Sequence, residues 1–359
     1  MTSHEGRGEC DADPLIGRRE VCKRIGLLGS TVLLAGISSL ARATTDAGKP
    51  STQLEGQGIP RRQLGRTGVT VSILALGGWH FLKTSDEEGN RMVQEAIDAG
   101  LTFFDNSWDY HNNRSEAVMG KALKGHRHEV FLMTKMCTHG RGKKIGMLHL
   151  EQSLRRLGTD YLDLWQIHEV GCEDDPERLF QEGGAIEALA EAKQQGKVRF
   201  IGFTGHTNPA VHLNVLKYDF PFDTCQLPLN PFDASYKSFE RQVLPELLRR
   251  GIAPIAMKSL CGNGKPIQQG ILTAEEAMRY VLSLPVSTLV SGIDSQEVLR
   301  QNLAIARRFV PMTQEEMAQL RRRVSGHATE GQFEYYKTHA LWSCDRHEVE
   351  QRYGGLEKT

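Results

Sequence analysis

VFLMTK (residues 130–135) and YLDLWQIH (161–168) are short apolar runs that each close on one ionisable side chain, Lys135 in the first and His168 in the second. A third run, FFDNSWDY (103–110), carries Asp105 and Tyr110 toward the same end. Runs so nearly continuous in apolar residues read as strands buried on both faces, the habit of parallel sheets. Three such strands bring their polar ends to one place only if the sheet curls into a barrel-like ring.

Outward from these runs the alternation continues through the chain. The strand candidates are VSILALG (71–77), TFFDNS (102–107), VFLMTK, YLDLWQIH, RFIGFTG (199–205), TCQLPLN (224–230), APIAMKSL (253–260) and STLVSGI (287–293). Helical-period runs follow them: EEGNRMVQEAIDAG (87–100), SEAVMGKALKG (115–125), LHLEQSLRRLG (148–158), 186–196, PAVHLNVLKY (209–218), FERQVLPELLRRG (239–251), AEEAMRYVLSL (274–284) and SQEVLRQNLAIARRF (295–309). Gly100, Gly125, Gly158 and Gly251 stand where helices commonly stop in a left-handed residue. Eight strand–helix units without a reversal predict an α/β chain folded as a closed (β/α)8 TIM barrel. An open dinucleotide-binding sheet lacks its main support, because no G-x-G-x-x-G follows the first strand.

Ahead of the barrel, RRQLGRTGVTVS (61–72) places Thr67-Gly68 between two extended pieces and predicts an N-terminal β-hairpin capping the barrel bottom. Behind it, TQEEMAQLRRRV (313–324) predicts a C-terminal helix capped by Thr313, and residues 325–359 an extended or irregular tail over the substrate mouth or around the outside.

Composition narrows the function. Forty-four basic residues balance 44 acidic ones, which leaves no electrostatic footprint for nucleic acid. The seven cysteines are scattered without a C-x-x-C pair and read as isolated buried thiols, and the 13 histidines form neither HExxH nor HxxxH, so no metal site is expected.

Residues 1–43 are of another kind. Arg18-Arg19 precedes IGLLGSTVLLAGISSL (25–40), shorter than the roughly 20 residues that span a bilayer. Ala41-Arg42-Ala43 then offers a small-x-small cleavage pattern, so 1–43 is expected to be a twin-arginine-type signal peptide with a mature start at Thr44. That implies a periplasmic or exported protein with no stable membrane span once the signal is gone. An uncleaved N-terminal amphipathic helix or anchor is the alternative. Residues 44–60 read as a linker, and 61–359 as the barrel with its C-terminal extension; a monomer or weak oligomer is expected.

The polar strand ends suit carbonyl reduction, which needs hydride on carbon and a proton on oxygen. A phenol of pKa about 10 is a weak acid near neutrality, so a neighbouring ammonium is expected to lower it. Lys135 would do this for Tyr110, with Asp105 pairing Lys135 and His168 bonding the carbonyl oxygen, where charge develops. Alone, each residue also fits a turn, a loop aromatic, a solvated charge or a satisfied core histidine.

Together the four resemble the Asp-Tyr-Lys-His tetrad of the aldo-keto reductase superfamily, over about residues 61–309. RRQLGRTGVTVSILALGGW (61–79) is similar to the family's opening hairpin and first strand, FFDNSWDYHNNRSE (103–116) to its Asp-to-Tyr motif, and YLDLWQIH to its histidine strand. The resemblance implies a TIM barrel, NAD or NADP held without a Rossmann domain, and reversible reduction of a small aldehyde or ketone.

It also implies cofactor positions. Gln226 and Asn230 match the strand whose glutamine faces the nicotinamide amide, and Gly77, Gly78 and Trp79 the first-strand loop. Thr204-Gly205-His206 stands where many members carry Ser-Asn, and Met257 where a tyrosine often stacks on the nicotinamide. Lys258, Ser259 and Leu260 lead into CGNGKP (261–266), whose glycines and lysines suit a pyrophosphate. After the last strand come Gly292, Ile293 and Asp294, with Ser295, Gln301 and Asn302 as polar adenosine contacts. Asp294 would repel a 2′-phosphate unless Arg300 compensates, a lean toward NAD. Trp79, His80 and Trp108 are expected to wall the substrate, and His111-Asn112-Asn113-Arg114 to add polarity.

Two readings from other classes accompany the reductase. One is a redox-sensing nucleotide-binding module; the other is an isomerase, epimerase or lyase that retains and recycles its nucleotide.

Overall fold

The computed structural model describes residues 58–137 and 141–338. The expected signal peptide (1–43) and nearly all of the linker (44–60) lie outside the described residues, as does 339–359 of the tail.

Strands β1 (Arg61–Gln63) and β2 (Thr70–Ser72) pair antiparallel as the expected hairpin. Eight parallel strands follow: β3 (Leu74–Gly77), β4 (Phe103–Asp105), β5 (Phe131–Met136), β6 (Leu162–Ile167), β7 (Val198–Thr204), β8 (Thr224–Pro228), β9 (Ala253–Met257) and β10 (Thr288–Ser291). Each pairs with its neighbours in chain order, and β10 closes the ring on β3 through Leu289↔Leu74. The strands alternate with helices α1 (Asp86–Asp98), α2 (Arg114–Ala122), α3 (Lys143–Leu157), α4 (Ala185–Gln194), α5 (Pro209–Leu216), α6 (Leu244–Arg250), α7 (Ala274–Ser283) and α8 (Gln296–Arg307). The (β/α)8 barrel is thus the observed fold.

The two-residue period of the strands sorts their side chains. One parity, including Phe104, Leu132, Trp165 and Ile167, packs outward in the large core under the helices. The other parity points into the ring and forms a second core of Ala75, Phe103, Phe131, Met133, Leu164, Ala253 and Ile255, closed from below by Leu64 and Val71 of the hairpin. That is the expected bottom cap, and it is tied down by Arg62, which donates to the Leu282 and Val286 carbonyls at 2.6 and 2.9 Å. Moving up the interior parity, Phe103 gives way to Asp105 and Phe131-Met133 to Lys135. Leu164 likewise gives way to Gln166 and His168. Gly202 makes room at this level: a Cβ there would sit 2.2 Å from Thr224 Oγ1, so only glycine lets Gln166 reach Thr224 at 2.8 Å.

Four expectations need correction. The run 239–251 is two helices, Phe239–Gln242 and α6, because Pro245 has no N–H to continue the first. Helix α3 begins at Lys143 rather than 148, and a short helix, Asp175–Phe180, stands where none was expected. Cys225 and Cys261 are buried thiols and Cys137 is buried, but Cys172 is disulfide-bonded, which the scattered spacing of the cysteines did not show.

The C-terminal helix α9 (Gln314–Val324) carries the expected Thr313 cap, as a reciprocal box with Glu316. Residues 325–338 are not extended: they form short helical turns that bury Glu334, Tyr336 and Lys337. Among the described residues no helix is long and apolar enough to cross a membrane.

Candidate active site

The top of the ring opens into a cavity of about 1480 Å³. Lys135 ends the inward parity of β5 and is 1% exposed. Desolvating such an ammonium costs several kcal/mol unless its protons are all taken. They are: one goes to the Asp105 carboxylate, one to the Asn106 carbonyl at 2.8 Å and one to the Tyr110 hydroxyl at 3.3 Å. The second oxygen of Asp105 accepts from Gln226 Nε2 at 2.7 Å. Tyr110 is positioned by a turn in which His111, Asn112 and Asn113 are left-handed (φ 55°, 52° and 73°), a conformation Asn and His tolerate better than most.

His168 presents Nδ1 to Ser107 Oγ at 3.1 Å and to Asp109 Oδ1 at 3.3 Å, and its ring meets Tyr110 edge-on at 5.7 Å. Nε2 is therefore the ring nitrogen left for another partner. Burial pushes the Asp109 carboxyl up, but the His168 ring and the Ser107 hydroxyl outweigh it and hold the group below the usual carboxylate range. Asp109 and Ser107 were not singled out in the sequence, where Ser107 only closes the strand candidate TFFDNS.

The four tetrad positions thus meet, but one electrostatic expectation is reversed. Burial, followed by the charges of Asp105, Asp109 and Glu169, holds the Tyr110 phenol well above 10. The Lys135 ammonium does not offset this, because its charge is matched by Asp105 at contact. Tyr110 remains a neutral proton carrier.

Of the expected cofactor and substrate positions, Gly77, Trp79, His80, Thr204, His206, Gln226, Met257, Lys258, Ser259, Leu260, Gly292, Asp294, Gln301 and Asn302 line the cavity. Four do not. Gly78 packs under Ser115, whose hydroxyl donates to its carbonyl at 2.9 Å. At Gly205 a Cβ would lie 1.9 Å from the Val170 carbonyl, so no side chain is possible there. Asn230 donates to Glu334 Oε1 and Tyr336 Oη, both at 2.9 Å, and is occupied by the C-terminal segment. Trp108 is 2% exposed and stacks on His149 at 3.9 Å, with its indole N–H on Gln152; its backbone bond to Lys135 O turns the ring out toward α3.

Two further corrections concern charge. Arg300 is committed to Glu95 at 2.6 and 3.1 Å and is not at the cavity, while Asp294 pairs with Lys83 at 2.8 Å. The C-terminal segment also supplies cavity residues that were not expected, Tyr335 and Tyr336. Cys172, Asp174 and Asp175 cluster closely enough to suggest a metal, but Cys172 is disulfide-bonded and Asp175 is held by Arg141.

A nicotinamide cofactor fits the residues present. The buried Gln226 Oε1 has no protein partner while its amide nitrogen is fixed on Asp105. Gly262 and Gly264, both left-handed, line the same cavity and allow close backbone approach to a phosphate.

Comparison with known proteins agrees with this geometry. Residues 73–265 match the Aldo/keto reductase family. Aldo-keto reductase YhdN of Bacillus subtilis is 30% identical over 230 residues, which are 60% of this chain and 64% of that protein; the match therefore spans just under two thirds of the relative. Aldo-keto reductase yakc [NADP(+)] of Schizosaccharomyces pombe is 27% identical over 230 residues, 60% of this chain and 63% of that protein. The solved structure of aldo-keto reductase AKR11C1 from Bacillus halodurans, in its holo form, superposes with a TM-score of 0.64 at 25% identity, covering 77% of this chain and 99% of that one. A closed eight-stranded barrel, the meeting of Asp105, Tyr110, Lys135 and His168, and these matches lead to one conclusion: the chain belongs to the Aldo/keto reductase family of oxidoreductases.

Proposed function

We propose that the protein reduces a small aldehyde or ketone with NADH or NADPH, Tyr110 acting as the general acid. The observation that carries this is the Lys135 ammonium, whose third proton goes to the Tyr110 hydroxyl at 3.3 Å, its one remaining acceptor among the described residues. When bound, a reduced nicotinamide supplies hydride to the carbonyl carbon. The chain's own residues handle the oxygen. His168 Nε2 and the Tyr110 hydroxyl hydrogen-bond it, and as charge builds the phenolic proton passes to the forming alkoxide, a stronger base than the phenolate left behind. Lys135 then sits beside that phenolate and stabilises it, while Asp105 holds Lys135 in place. A phenol kept neutral by burial suits the donor role.

The Ser107–Asp109 contacts keep the His168 ring oriented, and Gln226 Oε1 would accept from the nicotinamide amide. Met257, lining the cavity, would pack its thioether against the nicotinamide ring in place of a tyrosine. Neutralisation of Asp294 by Lys83 weakens its bias against a 2′-phosphate, so the lean toward NAD is slight. A complete tetrad and the family match favour this reading over a redox sensor or a nucleotide-recycling isomerase.

The test is NAD(P)H-dependent reduction of simple aldehydes by the full chain and by Tyr110→Phe. Loss of turnover with cofactor binding retained supports the role; undiminished turnover sinks it. We also infer export: a disulfide at Cys172 is at home in an oxidising compartment, which matches the signal-like 1–43. Mass spectrometry of the secreted-fraction protein should find a chain starting at Thr44, and an intact Met1 there counts against cleavage.

A further inference from the structure

Immediately after His168 the backbone does something costly. Glu169 is left-handed, at φ 52°, a conformation that a long side chain rarely adopts and that tends to be kept where it serves a site. The conformation is held from several sides. Arg141 donates to the His168 carbonyl at 2.9 Å and the Glu169 carbonyl at 3.1 Å, while its guanidinium is locked on Asp175 at 2.8 and 3.1 Å. Asp175 in turn accepts from the Gly171 and Cys172 N–H groups at 2.8 and 3.0 Å, and Val170 N–H bonds the Thr204 carbonyl at 2.7 Å.

The effect is to place the Glu169 carboxyl on the cavity wall beside His206, with Oε1 3.7 Å from His206 Nε2. Lys258 and Tyr336 complete this wall: the Lys258 ammonium lies 5.2 Å from the Tyr336 ring centre, and the His206 ring meets Tyr336 edge-on at 6.4 Å. Glu169 Oε2, His206 Nδ1 and Ser259 Oγ are all buried, and none has a hydrogen-bond partner among the described residues. Buried polar atoms are nearly always satisfied, so three on one cavity call for a ligand that brings its own polar groups. The wall offers acceptors, a neutral imidazole and an ammonium together. Burial, with the charge of Lys258, keeps His206 neutral, and burial pushes the Glu169 carboxyl up. A hydroxyl, which both donates and accepts, matches such a mixture better than a carboxylate or a bare alkyl group.

The position favours substrate over the cofactor role that the family resemblance implies for His206 and Lys258. Glu169 follows the tetrad histidine directly and lies close enough to Tyr110 to act on its charge. Resting on the reductase reading above, we propose that Glu169, His206 and Lys258 recognise a hydroxyl group neighbouring the reacting carbonyl. The protein would thus select hydroxylated aldehydes or ketones over plain ones.

Two measurements on the full chain test this. In the first, kcat/KM for D-glyceraldehyde is divided by kcat/KM for propanal. The ratio should fall about ten- to a hundredfold in Glu169→Gln and in Lys258→Met, the range expected for losing a charge-assisted hydrogen bond. A ratio unchanged in both variants, with native circular dichroism, overturns the assignment. If instead the variants weaken NADPH binding while the ratio holds, the wall belongs to the nicotinamide amide and the substrate role is wrong. The second measurement needs no turnover: calorimetry with erythritol on the NADP+-loaded chain should show binding that Glu169→Gln weakens. Absence of erythritol binding in the unmodified chain overturns the proposal. Erythritol binding without turnover of either aldehyde fails the reductase reading instead.

Discussion

Two lysines in this molecule are buried to the same extent and bonded in nearly the same way. Lys135, on β5, gives its three protons to Asp105, the Asn106 carbonyl and the Tyr110 hydroxyl. Lys337, in the C-terminal turn, gives its protons to Asp233 at 2.6 Å, Glu334 at 2.9 Å and the Tyr236 carbonyl at 2.9 Å. The side chain of Lys135 is 2% exposed and that of Lys337 is fully buried. The third acceptor separates them. Around Lys337 every acceptor is a carboxylate or a carbonyl, so the ammonium itself bonds no hydroxyl, and the cluster anchors Tyr335 and Tyr336 on the cavity rim. Around Lys135 one acceptor is itself an acid. A saturated buried cation marks a structural anchor or a chemical centre according to whether one of its partners carries a mobile proton.

The sharpest way to break that comparison is to remove the proton and leave everything else. Tyr110→Phe should lower kcat for aldehyde reduction by about 10²–10⁴-fold, the range for a positioned general acid, with little change in melting temperature. A variant that retains most of its kcat would put the two lysines in the same class. Lys135→Met and Lys337→Met should both destabilise the fold by about 3–5 kcal/mol, since each leaves buried carboxylates unpaired. Denaturant unfolding measures the loss, and the two must then diverge: at a temperature where both are folded, Lys337→Met should keep far more turnover than Lys135→Met. Equal residual turnover would mean that the C-terminal anchor serves the chemistry as directly as the tetrad.

A smaller effect concerns pH. Burial and the neighbouring carboxylates hold the Tyr110 pKa above its ordinary value, so the proton-donating form persists through pH 8–10. The pH profile of kcat for reduction should be free of a downward break in that interval. A break below 9 would mean that Lys135 outweighs those carboxylates, as expected from the sequence. The smallest shift is in cofactor choice: Lys83→Met frees the Asp294 charge and should lower the NADPH-to-NADH affinity ratio by less than about tenfold, the scale of an exposed ion pair. Fluorescence titration reads it, and an increase in the ratio would place the 2′-phosphate elsewhere.

Lys135 was legible because it ends an apolar strand, and a charge in that place has few dull explanations when Asp105, Tyr110 and His168 repeat it on neighbouring strands. Lys337 was not, because it sits in an irregular, charge-rich stretch where a lysine is ordinarily solvated. The same contrast holds at the cofactor end. Gln226 lies within an apolar strand and lines the cavity, whereas Asn230, four residues later in a loop, was claimed by a segment 104 residues away. Trp108 shows the limit at single-residue scale: its place beside Tyr110 in the chain says nothing of which way the ring turns.

The alternation of apolar strands and periodic helices was enough to specify the closed barrel, the hairpin under it and the rim that gathers the tetrad, since burial of both faces of a parallel strand leaves few other arrangements. Local pattern carries that information. Tertiary structure alone decided the sign of the Tyr110 shift, the left-handed Glu169, the commitment of Arg300 to Glu95 and the anchoring of Tyr336 on the rim. Each of these depends on charges and carbonyls that are distant in sequence and meet only when the ring closes, so no local pattern encodes them.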